Sequence, residues 1–161
     1  MSPFVLFSIQ FTLSLVVFAL VSHWYIQPLL AQLPRERALV PLLLIHVFRY
    51  TPLTLLVPGQ VAASVPSEAT KTIAYGDLVS GLLAFVAVLL LKYSLPGAVA
   101  ATWLFTVVGI SDIILAVRVG VTQQLYEHGL GFNWYILNYY VPVLCVTHVM
   151  ILRLLLRGRQ G

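Results

Sequence analysis

A chain of 161 residues of which 60% are hydrophobic and only 9% are charged is unlike a water-soluble domain, where about 25% of residues carry charge. Its mean hydropathy is +0.97, and its net charge of +4 gives no basic patch that would indicate nucleic-acid binding. The single cysteine, Cys145, excludes an internal disulfide and a zinc site built on paired thiolates. The composition therefore predicts a protein whose solvent is the lipid bilayer.

Five apolar runs, each bounded by proline, glycine or charged residues, predict five transmembrane α-helices. About 20 apolar residues in a helix cross the roughly 30 Å of hydrocarbon, and the connections between the runs are too short to fold independently. We therefore predict an all-α integral membrane bundle that forms a single transmembrane domain over residues 1–161. The predicted helices, in chain order, are about residues 4–26, 38–57, 73–93, 98–117 and 135–156.

The basic residues near the helix ends predict the orientation, because Lys and Arg are retained on the cytoplasmic side. Only Lys71 and Arg118 fall at one end of the predicted bundle. The other end carries Arg35, Arg37, Lys92, Arg153, Arg157 and Arg159. This asymmetry predicts an amino terminus outside and a carboxyl terminus in the cytoplasm, and we expect the cell (inner) membrane as the location.

Charged residues inside apolar runs are the strongest indication of a site, since a charge at the bilayer centre costs about 2.5–3.5 kcal/mol on the insertion scale. Arg49, Asp77 and Asp112 lie in the second, third and fourth runs. From the helical rise of about 1.5 Å per residue, the arginine side chain can reach the depth of both carboxylates in the outer leaflet. An arginine paired with a carboxylate offsets much of the desolvation cost, so we predict that the three form one cluster.

Two prolines near the cluster predict a polar cavity that faces the non-cytoplasmic side. Pro52 and Pro142 each leave one backbone carbonyl without its helical hydrogen bond. A histidine stands one turn before the arginine, and an Asn-Tyr pair lies beside the second freed carbonyl. The predicted ligand- or proton-binding residues are therefore Arg49, Asp77, Asp112, His46, Asn138 and Tyr139.

The charge count of the cluster indicates its function. One arginine cannot fully compensate two carboxylates, so a dry site should hold a proton or a cation as well. We therefore expect a pocket that binds or transports a small molecule, a cation or a proton, in a homo-oligomer if it transports, because 161 residues leave little room for alternating access in one protomer. The alternative is a non-catalytic structural or interaction subunit of a membrane complex.

Two histidines permit a lesser alternative. His46 and His148 stand at similar depth on different helices, which is the arrangement that a six-coordinate haem in a membrane bundle uses. A lone intramembrane histidine otherwise hydrogen-bonds to a neighbouring helix. An enzyme that uses the aspartates as acid and base is a further alternative, although no nucleophile or metal constellation accompanies them.

Overall fold

A computed structural model describes residues 1–157 as a bundle of five long helices, with no strand in that part of the chain. All five helices are long and apolar enough to cross a membrane, so the predicted all-helical fold is confirmed at this level. They are α1 (Pro3–Leu30), α2 (Arg35–Leu56), α3 (Ser67–Lys92), α4 (Ala98–Thr122) and α5 (Asn133–Leu156). Arg159, which contributed to the predicted orientation, lies outside the described residues.

The helices continue beyond the apolar runs because their polar end turns are also helical. α3 begins at Ser67, earlier than the predicted start at residue 73, and α4 ends at Thr122 instead of residue 117. In the first turn of α3, the hydroxyl of Thr70 donates to the carbonyl of Ser67 at 2.8 Å, and the hydroxyl of Thr72 donates to the carbonyl of Glu68 at 2.8 Å. A hydropathy pattern detects only the part of a helix that matches the hydrocarbon.

Two of the helices contain a π turn that ends two residues before a proline. In α1 the π turn is Ser22–Ile26 and precedes Pro28, and in α5 it is Ile136–Tyr140 and precedes Pro142. A proline has no N–H and its ring displaces the carbonyl four residues earlier, which a wider turn accommodates. Residues on either side of a π turn therefore face directions that a period of 3.6 does not predict.

The second helix changes from α to 3-10 geometry at Phe48. The 3-10 segment Phe48–Leu56 contains Pro52, and it packs against α3. Because a 3-10 helix has 3.0 residues per turn, Arg49 and Pro52 lie on the same face, and both are buried. This local geometry turns the arginine into the bundle.

The first helix is peripheral. It packs mainly against α5 and the short 3-10 turn Leu125–Glu127. Two polar contacts join it to α5: Trp134 Nε1 donates to Gln10 Oε1 at 2.8 Å, and Ser22 Oγ donates to Met150 Sδ at 2.8 Å. The other four helices contribute most of the buried core, which includes Leu39, Leu43, Ala84, Ala87, Phe105 and Ile151.

Candidate functional site

Arg49 is the centre of a buried ion-pair cluster, and its side chain is 1% exposed. Each nitrogen of the guanidinium donates to a different acceptor. Nε donates to Asp77 Oδ1 at 2.7 Å, Nη1 donates to the Gly109 carbonyl at 3.2 Å, and Nη2 donates to Asp112 Oδ2. Asp77 belongs to α3, whereas Gly109 and Asp112 belong to α4. The arginine of α2 therefore joins three helices.

One guanidinium does not balance the two carboxylates of this cluster. Asp77 and Asp112 are 8% and 9% exposed, and Arg49 is the sole salt-bridge partner of either within residues 1–157. With both carboxylates ionised, the cluster carries one excess negative charge. An uncompensated charge in a buried site costs several kcal/mol. The cluster can therefore accept one further positive charge, as a proton or as a cation.

Two glycines leave the space that the charged side chains occupy. A Cβ at Gly76 would overlap the carboxylate of Asp112. A Cβ at Gly109 would lie 2.7 Å from His148 Nε2 and 3.1 Å from Arg49 Nη1. Small residues in membrane helices commonly allow two backbones to approach. Here their missing side chains also make room for the ion pairs themselves.

The two buried histidines, His46 and His148, contact each other beside the cluster. The ring centroids of His46 and His148 are 4.2 Å apart with an interplanar angle of 84°, and the ring of Phe105 packs against both at 5.0 and 5.2 Å. His148 Nδ1 donates to the Leu144 carbonyl at 3.1 Å, and Thr147 Oγ1 lies 2.9 Å from His46 Nε2. Both imidazoles are thus packed and hydrogen-bonded within the bundle.

This arrangement does not fit the bis-histidine haem that the sequence offered as a lesser alternative. The two axial ligands of a haem lie on opposite faces of the porphyrin, with the iron and the macrocycle between them. The rings of His46 and His148 instead touch edge to face, so no macrocycle fits between them. The two histidines lie together, as a shared ligand would require, but their direct contact leaves no space for the cofactor.

In α5, Asn138 and Tyr140 face the interior of the bundle, whereas Tyr139 faces outward. Tyr139 is 49% exposed and stacks on Tyr135 with ring centroids 6.2 Å apart, so it does not take part in the cluster, contrary to the prediction. Asn138 is fully buried, but its amide donates to a carbonyl of its own helix. The Tyr140 hydroxyl donates to the carbonyl of Ile45 at 2.7 Å. The π turn causes this change of facing.

A cavity of about 220 Å³ adjoins the cluster in the half of the bundle where α1 begins. Its polar wall is formed by Arg49, Asp77, Asn133 and Tyr140, whereas Asp112 does not line it. The other lining is apolar or aromatic and includes Phe7, Phe11, Ile73, Leu125, Tyr126 and Leu130. Cavities of this kind suit a mainly apolar molecule that presents one polar group.

Comparison with known proteins gives a family but no activity. A family model described as "Domain of unknown function (DUF8737)" matches residues 6–156, which include the whole cluster and all the residues that line the cavity. Searches of curated proteins and of solved structures gave no match. The chemistry of the site is therefore the basis for a functional proposal.

Proposed function

We propose that this chain, which belongs to the DUF8737 family, is a membrane protein whose intramembrane pocket takes up one positive charge. The charge is carried by a proton or by a small organic cation with apolar substituents. The family description assigns no activity, so the proposal is drawn from the chemistry of the site. One observation carries this proposal. Asp77, a member of a cluster with two carboxylates and one arginine, lines a cavity whose wall is otherwise mostly apolar and aromatic.

The chemistry of the wall favours an organic cation over an inorganic one. A strongly hydrated metal ion would lose its water shell against apolar side chains, whereas an ammonium group with apolar substituents keeps favourable contacts there. Aromatic rings attract cations, with about 0.5–2 kcal/mol per contact, and Phe7, Phe11, Tyr126 and Tyr140 lie in the wall. Asp77 would then supply the opposite charge. A proton on either carboxylate achieves the same balance when the cavity is empty.

Calorimetric titration of the detergent-solubilised protein with benzyltrimethylammonium tests the proposal. We expect the wild type to bind this cation, and we expect Asp77→Asn and Asp112→Asn each to weaken binding at least about tenfold, or ~1.4 kcal/mol. Either substitution leaves the cluster neutral without adding bulk. Glu68→Gln is the matched control, because this side chain is 84% exposed and lies outside the cavity at the same end of the bundle. Unchanged affinity in both folded aspartate variants would contradict the proposal.

Carbodiimide labelling tests which carboxylate the cavity exposes. Dicyclohexylcarbodiimide enters from the bilayer and reacts with carboxyl groups, so we expect modification of Asp77 and little of Asp112, which does not line the cavity. Gly120→Leu adds a side chain to the cavity wall at a position where a Cβ meets no atom within 4 Å, and it should slow the reaction. Peptide mass spectrometry locates the label. Equal modification of both aspartates would argue against the proposed access route.

The proposal includes insertion of all five helices in the cell (inner) membrane, with the amino terminus outside and the carboxyl terminus in the cytoplasm. The support is the concentration of Lys and Arg at one end of the bundle. In a Cys145→Ser background, we expect a membrane-impermeant maleimide to label Ser2→Cys in intact cells and to label Leu95→Cys only after permeabilisation. Both positions are exposed. The reverse pattern would reverse the orientation.

A second candidate is a non-catalytic subunit of a membrane complex or a homo-oligomer. This candidate is favoured by α1, because only 6% of the residues in its most apolar 18-residue stretch are buried within the chain. The exposed faces of α1 are free to contact lipid or another protein. In that case the Arg49 cluster would only fix the register of three helices. The aspartate variants would then lose stability without any change in cation affinity, and a membrane protein would copurify with the wild type.

A further inference from the structure

A second pocket, of about 320 Å³, lies at the opposite end of the bundle from the cavity, between the carboxyl ends of α1 and α5. Its wall combines basic and amide side chains with apolar ones. The lining includes His23, Gln27, Leu30, Met150, Arg153, Leu154 and Arg157. The proposed cation pocket shares none of these residues.

The ends of α1 and α5 bring the polar groups of this pocket together. Arg153 lies in the last turn of α5, and Arg157 directly follows the helix, with its backbone N–H donating to the Arg153 carbonyl at 3.0 Å; both line the pocket. In α1, His23 lies within the π turn Ser22–Ile26 and Gln27 directly follows it, and both line the pocket. The hydrogen bond from Ser22 Oγ to Met150 Sδ holds the two helices together at the apolar floor of the pocket, which Leu30, Met150 and Leu154 form. The pocket therefore lies between two helices, and the two arginines form its basic rim.

Within the part of the chain that the structure describes, no carboxylate pairs with the basic rim of this pocket. The salt bridges within residues 1–157 involve Arg35, Arg49 and Lys71, and neither Arg153 nor Arg157 takes part in one. None of the described residues that line the pocket is acidic. A guanidinium presents parallel N–H donors that match a phosphate in a bidentate manner. Two unpaired arginines in one pocket therefore favour a phosphate group as the ligand.

We propose that this pocket binds the phosphate group of an anionic lipid, with the acyl chains against the apolar floor. Free phosphate would satisfy only the basic rim. A lipid satisfies the rim and also covers the apolar residues of the pocket, Leu30, Met150 and Leu154. Basic pockets between membrane helices recognise anionic headgroups in this way, and the attraction of each Lys or Arg near the surface is about 1 kcal/mol.

Short-chain lipids distinguish this pocket from a general basic surface. Protein in a neutral detergent is titrated with dihexanoyl phosphatidylglycerol, dihexanoyl phosphatidylcholine or inorganic phosphate, and the dissociation constants are measured by native mass spectrometry. We expect phosphatidylglycerol to bind at least about tenfold more tightly than phosphatidylcholine, with a preference that high salt weakens. The double variant Arg153→Gln/Arg157→Gln should lose this preference.

The matched control removes the same charge at the same end of the bundle. Arg37→Gln/Lys92→Gln changes two exposed basic residues outside the pocket, and Lys92 also stands at the carboxyl end of a helix, as Arg153 does. This control should keep the preference. Leu154→Trp, which fills the floor without a change of charge, should reduce it. Equal losses in the two double variants, no lipid preference in the wild type, or equally tight binding of inorganic phosphate would each overturn the proposal.

Discussion

Replacing Arg49 with methionine is expected to lower the free energy of unfolding by about 3–5 kcal/mol, because it leaves two buried carboxylates without their cation. The guanidinium is 1% exposed, and it donates to two carboxylates and to one backbone carbonyl. The variant removes all of these bonds at once. Unfolding in mixed micelles at increasing fractions of sodium dodecyl sulfate, followed by circular dichroism, measures the loss. Arg118→Gln is the control, since that side chain is exposed in α4.

Two further variants separate the effect of charge balance from the effect of guanidinium geometry. Arg49→Lys should recover only part of the stability, because a compact ammonium cannot reach acceptors on α3 and α4 in the geometry of a planar guanidinium. The triple variant Arg49→Met/Asp77→Asn/Asp112→Asn should recover most of it, because a neutral cluster no longer needs a cation. A triple variant as unstable as Arg49→Met would contradict the electrostatic explanation.

The meeting of Arg49, Asp77 and Asp112 could be predicted because each is a lone charge in an apolar run, and the rise per residue fixes its depth. The helix itself is longer than the predicted span. Asp77 is ten residues from the start of α3, Ser67, or about 15 Å along the helix, whereas it is only four residues from the predicted start at residue 73. The polar end turns, which hydropathy does not register, account for the difference.

Depth alone does not determine lateral distance, as the two histidines show. His46 and His148 lie at similar depth, and a shared ligand between them was a reasonable hypothesis. Whether two such rings flank a cofactor or touch each other depends on the spacing of α2 and α5, which no sequence pattern contains. The 4.2 Å between their centroids decides in favour of contact. Phe105, which packs against both rings, was likewise not predicted.

The facing of residues in α1 and α5 could not be derived from periodicity. Pro142 indicated a freed carbonyl, but the π turn before it was not predicted, so Tyr139 was assigned to the interior that Tyr140 occupies. In α1 most positions are apolar, and lipid is as apolar as a protein core, so hydropathy distinguishes no buried face. The spacing of Phe7 and Phe11, one turn apart, was the available signal for the cavity wall.

Replacing Gly76 with alanine is expected to lower the free energy of unfolding by about 1–3 kcal/mol, although alanine is the better helix former. The added Cβ would overlap the carboxylate of Asp112. Gly120→Ala is the matched control in a neighbouring helix, because its Cβ meets no atom within 4 Å. There the higher helix propensity should raise stability by up to about 1 kcal/mol. The same unfolding experiment measures both variants, and losses of equal size would contradict the steric explanation.

The cost at Gly76 follows from the ion pair, because an aspartate free to rotate would move away from a new methyl group at little expense. Asp112 is held by Arg49 Nη2, so it can move only by breaking that bond. Gly76→Ala should therefore cost much less in an Asp112→Ala background, where no carboxylate remains to be displaced. The coupling free energy from this double-mutant cycle measures how strongly the packing of α3 against α4 depends on the buried charge. If Gly76→Ala is equally destabilising in both backgrounds, the glycine serves backbone approach, and the carboxylate does not determine its identity.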